Sequence, residues 1–139
     1  MNSFEFGYKQ NDITPKYGIP LCGYFNERPN KGAYDRLNVK AAVFRTNGTD
    51  VAAIVSFDLC FITAAIVKDL EAALAAKNSP LVGKVMYCAT HTHTGPYMGM
   101  DFSVDYVDEA YIRNMAAQTV NAVKNALESL YEAEIFAGK

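Results

Sequence analysis

Histidine and cysteine are scarce in this chain: 139 residues hold 2 histidines and 3 cysteines. Cys22, Cys60 and Cys88 are odd in number, far apart in sequence and each set among apolar residues. That pattern excludes a disulfide frame and a zinc knuckle, and it reads as buried thiols in a reducing setting. Long apolar runs are missing too, so nothing is expected to cross a bilayer. The opening Met1-Asn2-Ser3-Phe4-Glu5-Phe6-Gly7 lacks the basic and apolar stretches of a secretory leader. As written, the chain reads as soluble and cytoplasmic, or as secreted or periplasmic if a leader has been removed. A basic stripe is also absent: 13 basic against 15 acidic residues leave a formal charge of -2, which speaks against a nucleic-acid partner. No internal repeat and no low-complexity linker interrupts the chain.

What remains is ordinary globular material, 50% hydrophobic and 20% charged, long enough for one domain with its own core. Residues 3–9 alternate, with Phe4, Phe6 and Tyr8 on one side, and predict a half-buried strand. A shaped loop with Pro15, Gly18, Pro20, Gly23, Pro29 and Gly32 follows. Residues 37–45 and 51–57 predict two strands joined across Thr46-Asn47-Gly48-Thr49, a hairpin signal. Residues 62–77 predict an amphipathic helix stopped at Asn78-Ser79-Pro80. Residues 85–89 are continuously apolar, which predicts a strand covered on both faces. Residues 105–131 predict a long helix burying Val107, Tyr111, Met115, Val123, Leu127 and Leu130. Residues 133–136 predict the start of a further strand. The fold class is α/β: a mixed sheet with a hairpin and a βαβ unit, helices packed on the sheet, part of a larger layered α/β catalytic domain.

Both histidines fall in Cys88-Ala89-Thr90-His91-Thr92-His93-Thr94-Gly95-Pro96. If the backbone stays extended there, side chains two apart share a face and the imidazoles converge while Thr92 points away. Two imidazoles at a strand end are half of a catalytic zinc site; from spacing alone, a solvated or hydrogen-bonded pair is as good a reading. The order strand 51–57, helix 62–77, strand 85–89 predicts parallel pairing, with both carboxyl ends at one ligand-binding edge. Asp58 therefore belongs near the histidines, as a neighbour fixing an imidazole, a ligand or a substrate contact. A cap on helix 62–77 is at least as good a role for it. Gly95-Pro96 and Gly99 leave the imidazoles uncovered, which tips the balance toward a metal. Tyr97, Met98 and Met100 line either an acyl channel or, the better reading, the packing against the long helix. The loop from Gly18 to Tyr24 borders the site, because its glycines let backbone approach a ligand closely.

Taken in order, Asp12-Ile13-Thr14-Pro15, Gly18-Ile19-Pro20-Leu21-Cys22-Gly23-Tyr24, Arg28, Gly32, Asp35, Lys40-Ala41, Ser56-Phe57-Asp58-Leu59 and Ala89-Thr90-His91-Thr92-His93-Thr94-Gly95-Pro96 form one pattern. It resembles the amino-terminal region of the neutral/alkaline non-lysosomal ceramidase family and its bacterial relatives, over nearly the whole chain. The resemblance implies a zinc-dependent hydrolase that cleaves an N-acyl amide bond, of ceramide or a related amide. It implies His91 as a zinc ligand and His93 as the catalytic group beside the metal; Asp58 and Gly23, from their own positions, are candidate contacts to those groups or to substrate. The family's other ligands, a histidine, a glutamate and a tyrosine, lie in segments beyond residue 139. Where family members commonly carry a histidine, this chain reads Gly32-Ala33-Tyr34-Asp35, which bears on the substrate more than on the zinc.

A metallo-β-lactamase site is excluded because Thr94-Gly95 stands where its Asp-His would follow. An amidohydrolase barrel is disfavoured because a hairpin and a full βαβ unit precede the pair. The contrasting reading is a non-catalytic module whose histidine pair binds no metal. The implied partner is a small-molecule or lipid amide. Three protein groups are normally needed for catalytic zinc, with Asp58 or Asp101 the acids at hand, so residues 1–139 alone are expected to hold no stoichiometric zinc and to be inactive. An uncovered sheet edge and apolar face would favour self-association.

Overall fold

The computed structural model describes residues 3–99 and 107–138. Five strands and two helices follow in the order β1 (Phe4–Asp12), β2 (Asn38–Thr46), β3 (Asp50–Phe57), α1 (Ala64–Ala76), β4 (Val85–Ala89), α2 (Glu109–Glu128) and β5 (Tyr131–Glu132). They build one mixed sheet in the order β4-β3-β2-β1-β5. β1, β2, β3 and β5 pair antiparallel, and β3 pairs parallel with β4 from Ala53↔Val85 to Phe57↔Ala89. This is the α/β fold with a hairpin and a βαβ unit that the sequence predicts. The β2–β3 turn carries Asn47 at φ 52° and Gly48 at φ 73°, the two left-handed residues that an Asn-Gly hairpin turn requires.

Described helices pack on one sheet face. Val39, Ala41 and Val43 of β2 and Val51, Ala53, Val55 and Phe57 of β3 point into a core completed by Ile66, Leu70 and Leu74 of α1 and Met115, Ala122, Val123 and Ala126 of α2. β1 contributes Gly7, opposite Val43. A Cβ at Gly7 would collide with the Ala126 carbonyl oxygen, so the missing side chain is what lets α2 lie against β1. Asn11 clips the same helix, its Nδ2 donating to the Gln118 carbonyl at 3.0 Å, and Tyr111 Oη donates to the Ile13 carbonyl at 2.8 Å. α1 is capped by Thr63, whose Oγ1 accepts from Ile66 N.

The rings of β1 share one face, as expected, and it is the face away from the helices, where Phe4 and Phe6 gather with Phe44 and Tyr8 is exposed. Other expectations change. β4 is an edge strand with one open face: Val85 and Tyr87 turn to α1, but Met86 is 65% exposed and Cys88 is exposed. Its continuous apolar run reflects neighbours on one side only. The long helix ends at Glu128, Tyr131 pairs with Phe6 in β5, and residues 133–136 form no strand. Met100, Asp101 and the expected helix start at 105 lie outside the described residues.

Candidate metal centre

The parallel β3–β4 pair delivers its carboxyl ends together. Thr90 N donates to Phe57 O at 2.9 Å and His91 N donates to Leu59 O at 3.0 Å, which extends the seam past both strands. At that point the extended path stops. His91 has φ 62°, a left-handed conformation that costs a side-chain-bearing residue roughly 1 kcal/mol. The imidazoles therefore converge through a kink, not through the strand alternation expected of them. Their ring centres are 5.0 Å apart at 74°, and the two Nε2 atoms stand 3.4 Å apart. Both side chains are exposed while Gly95 and Pro96 are buried beneath them.

One contact fixes the chemistry of His91. Its Nδ1 lies 2.9 Å from the Cys60 carbonyl oxygen, and a carbonyl only accepts, so Nδ1 carries a proton and, in the neutral ring, Nε2 keeps the lone pair. This is the arrangement by which ligating histidines are commonly oriented. The Cys60 thiol lies 3.7 Å from the same Nδ1, and one donor atom each from Cys60, His91 and His93 lies within 4.8 Å of the others. Such a Cys/His/His group can hold a metal ion, and its nitrogen and sulfur donors suit a borderline-soft one. The thiol stands on the Nδ1 side, so the atoms facing each other on the open side are the two Nε2. At 3.4 Å they can address one ion, or one the ion and the other a group beside it.

Gly23 backs this pair. It sits at φ 84°, and an added Cβ would come within 2.6 Å of His93 Cγ. Tyr24 meets the His93 ring edge-on at 6.2 Å, and Arg28 lies over Tyr24 at 4.4 Å. The loop is tied to the histidine segment by Cys22 N donating to Gly95 O at 3.0 Å, Tyr97 N donating to Pro20 O at 2.8 Å, and a Leu21↔Pro96 bridge. Beneath lie Cys22, Cys60 and Tyr97, a small buried cluster with Phe61 and Val107 against it. Tyr97 thus packs under the site, and Met98 joins the main core.

Asp58 follows β3 on this edge, yet its carboxylate turns to β2. Lys40 Nζ donates to Oδ1 and Oδ2 at 2.8 and 2.9 Å, and Asn38 N donates to Oδ2 at 3.0 Å. It clips β2 to the end of β3 and does not cap α1, a task taken by Thr63. Sequence reasoning passed over Cys60 because it weighed the cysteines as a set. The signal was present: Cys60 stands two residues beyond Asp58, at the strand end already paired with the histidines.

Solved ceramidase structures share this mixed α/β fold. The neutral ceramidase of Pseudomonas aeruginosa is similar over 95% of this chain, with a TM-score of 0.83 and 26% identity. A ceramidase complexed with C2 is similar over 95% as well, with a TM-score of 0.84 and 28% identity. The chain spans 22% of the length of either structure. No family model matches the sequence, and no curated protein matches it.

Proposed function

We propose that this chain carries the histidine pair of a zinc-dependent hydrolase of the neutral ceramidase type, which cleaves an N-acyl amide bond. The observation that carries the reading is His91: its Nδ1 proton is committed to the Cys60 carbonyl, leaving Nε2 on the open side facing His93. Similarity to neutral ceramidase over 95% of the chain supports it. In this reading His91 Nε2 is a metal ligand, oriented by the Cys60 carbonyl that holds its Nδ1. Bound zinc supplies Lewis acidity toward a carbonyl oxygen and toward water. His93 stands beside it as the proton-handling group, its Nε2 positioned to stabilise charge on the reacting carbonyl or to pass a proton to the leaving amine. Gly23 and Tyr24 keep that ring in place. Asp58 acts on the site through the strand end it clips.

The substrate is a small-molecule or lipid N-acyl amide, reached from solvent through the exposed imidazole edges. No helix among the described residues is long and apolar enough to cross a membrane. No disulfide joins Cys22, Cys60 and Cys88 among the described residues. The test is hydrolysis of an N-acyl amide by the full-length protein. Turnover abolished by a chelator and restored by zinc is the expected result. An absence of both metal and turnover would favour a non-catalytic module built on the same fold.

A further inference from the structure

Arg28 has a position that the hydrolase reading leaves unexplained. Among the described residues the other three arginines are ion-paired: Arg36 with Asp12, Arg45 with Glu5 and Arg113 with Glu109. No described carboxylate pairs with Arg28. Its guanidinium is instead laid on the Tyr24 ring at 4.4 Å, and that ring abuts His93. Stacking occupies one face of a guanidinium and leaves its N–H edge free, in the fork geometry that matches a carboxylate. The segment is also tied across its base. Leu21 N donates to Arg28 O at 2.8 Å, and Pro20 bridges Pro29. Buried Asn30 closes the base, its Nδ2 donating to Lys16 O at 2.7 Å and Ile19 O at 3.2 Å. A cation without a carboxylate partner among the described residues, one aromatic ring away from a proposed catalytic histidine, is placed to read an anion.

We propose that Arg28, seated on Tyr24, is the carboxylate-binding group of the histidine site. The inference rests on the hydrolase reading and names its substrate class: an N-acyl amide with a carboxylate on the amine side, or the fatty-acid carboxylate released by cleavage. The neighbouring histidines select for an acyl carbonyl, and the guanidinium supplies a charge-assisted, bidentate partner beyond it.

The test uses the full-length protein with N-dodecanoylglycine and N-dodecanoylethanolamine, which share an acyl chain and differ in the carboxylate. Arg28→Gln is expected to lower the acid-to-neutral ratio of kcat/KM by about ten- to a hundredfold, mostly through KM, with zinc content retained. Arg28→Lys keeps the charge without the planar fork and should recover only part of the ratio. A loss confined to inhibition by dodecanoate would support the proposal and assign the carboxylate to the product. Dodecanoate binding by calorimetry gives a readout independent of turnover, so failure of the hydrolase reading leaves this test standing. If Arg28→Gln moves neither the ratio nor dodecanoate affinity, the proposal is overturned.

Discussion

At the scale of single residues, the site depends on backbone conformations that composition does not announce. His91 reaches its partner because it adopts φ 62°, and Gly23 lies against His93 because it has no side chain and sits at φ 84°. The sequence made both positions visible, the first through the His-x-His spacing and the second through the glycine-rich loop. It misjudged the mechanism of convergence, since spacing cannot show where an extended run kinks. Gly23→Ala forces a Cβ into the His93 ring and adds about 1–2 kcal/mol of left-handed strain. We expect turnover of the full-length protein to fall at least about tenfold with zinc retained, read by kinetics and metal analysis together. Asp58 behaves differently. Asp58→Ala removes the acceptor of Lys40 and of Asn38 N, so stability should drop by about 1–3 kcal/mol in urea unfolding while zinc content stays near wild type. Loss of metal without loss of stability would return Asp58 to the ligand set.

Elements were legible where local chemistry and tertiary context agree. The Asn47-Gly48 hairpin, the βαβ order and the body of both helices follow from turn residues and periodicity alone. β4 was misread because an apolar run states that residues are apolar and not how many neighbours they have, and here α1 covers one face. In β1 it is Gly7 and not the rings that faces α2, a preference set by helix approach and invisible to hydrophobic alternation. Gly7→Ala therefore tests the β1–α2 packing: a loss of about 1–3 kcal/mol is expected from overpacking against backbone, and a neutral outcome would mean α2 can shift outward. Two packed tyrosines, Tyr111 of α2 and Tyr87 of β4, carry a pH signature. Burial, with a smaller contribution from the Asp12 charge, raises the Tyr111 phenol above its ordinary value, and burial beside Glu71 raises Tyr87. The folded state keeps these protons where the unfolded chain loses them. Their stabilisation is therefore complete below about pH 10 and is lost as pH rises beyond it. Urea midpoints should fall between about pH 9 and pH 11, less steeply in Tyr111→Phe. Equal slopes would show that Tyr111 titrates as freely folded as unfolded.

At the scale of the whole molecule, described helices cover one sheet face and leave the other to Phe4, Phe6, Phe44, Ile54 and Met86, with Ile54 39% and Met86 65% exposed. An open apolar face beside an edge strand favours association. Residues 1–139 by themselves should sediment as oligomers in a concentration-dependent way, and Met86→Lys should shift them toward monomer; a monomer at all concentrations would show that this face tolerates water. The central claim concerns His91, and metal content tests it most directly. In the full-length protein we predict about one zinc per chain in the wild type, its loss in His91→Ala, and its retention with turnover lost in His93→Ala. Stoichiometric zinc retained in His91→Ala would contradict the account.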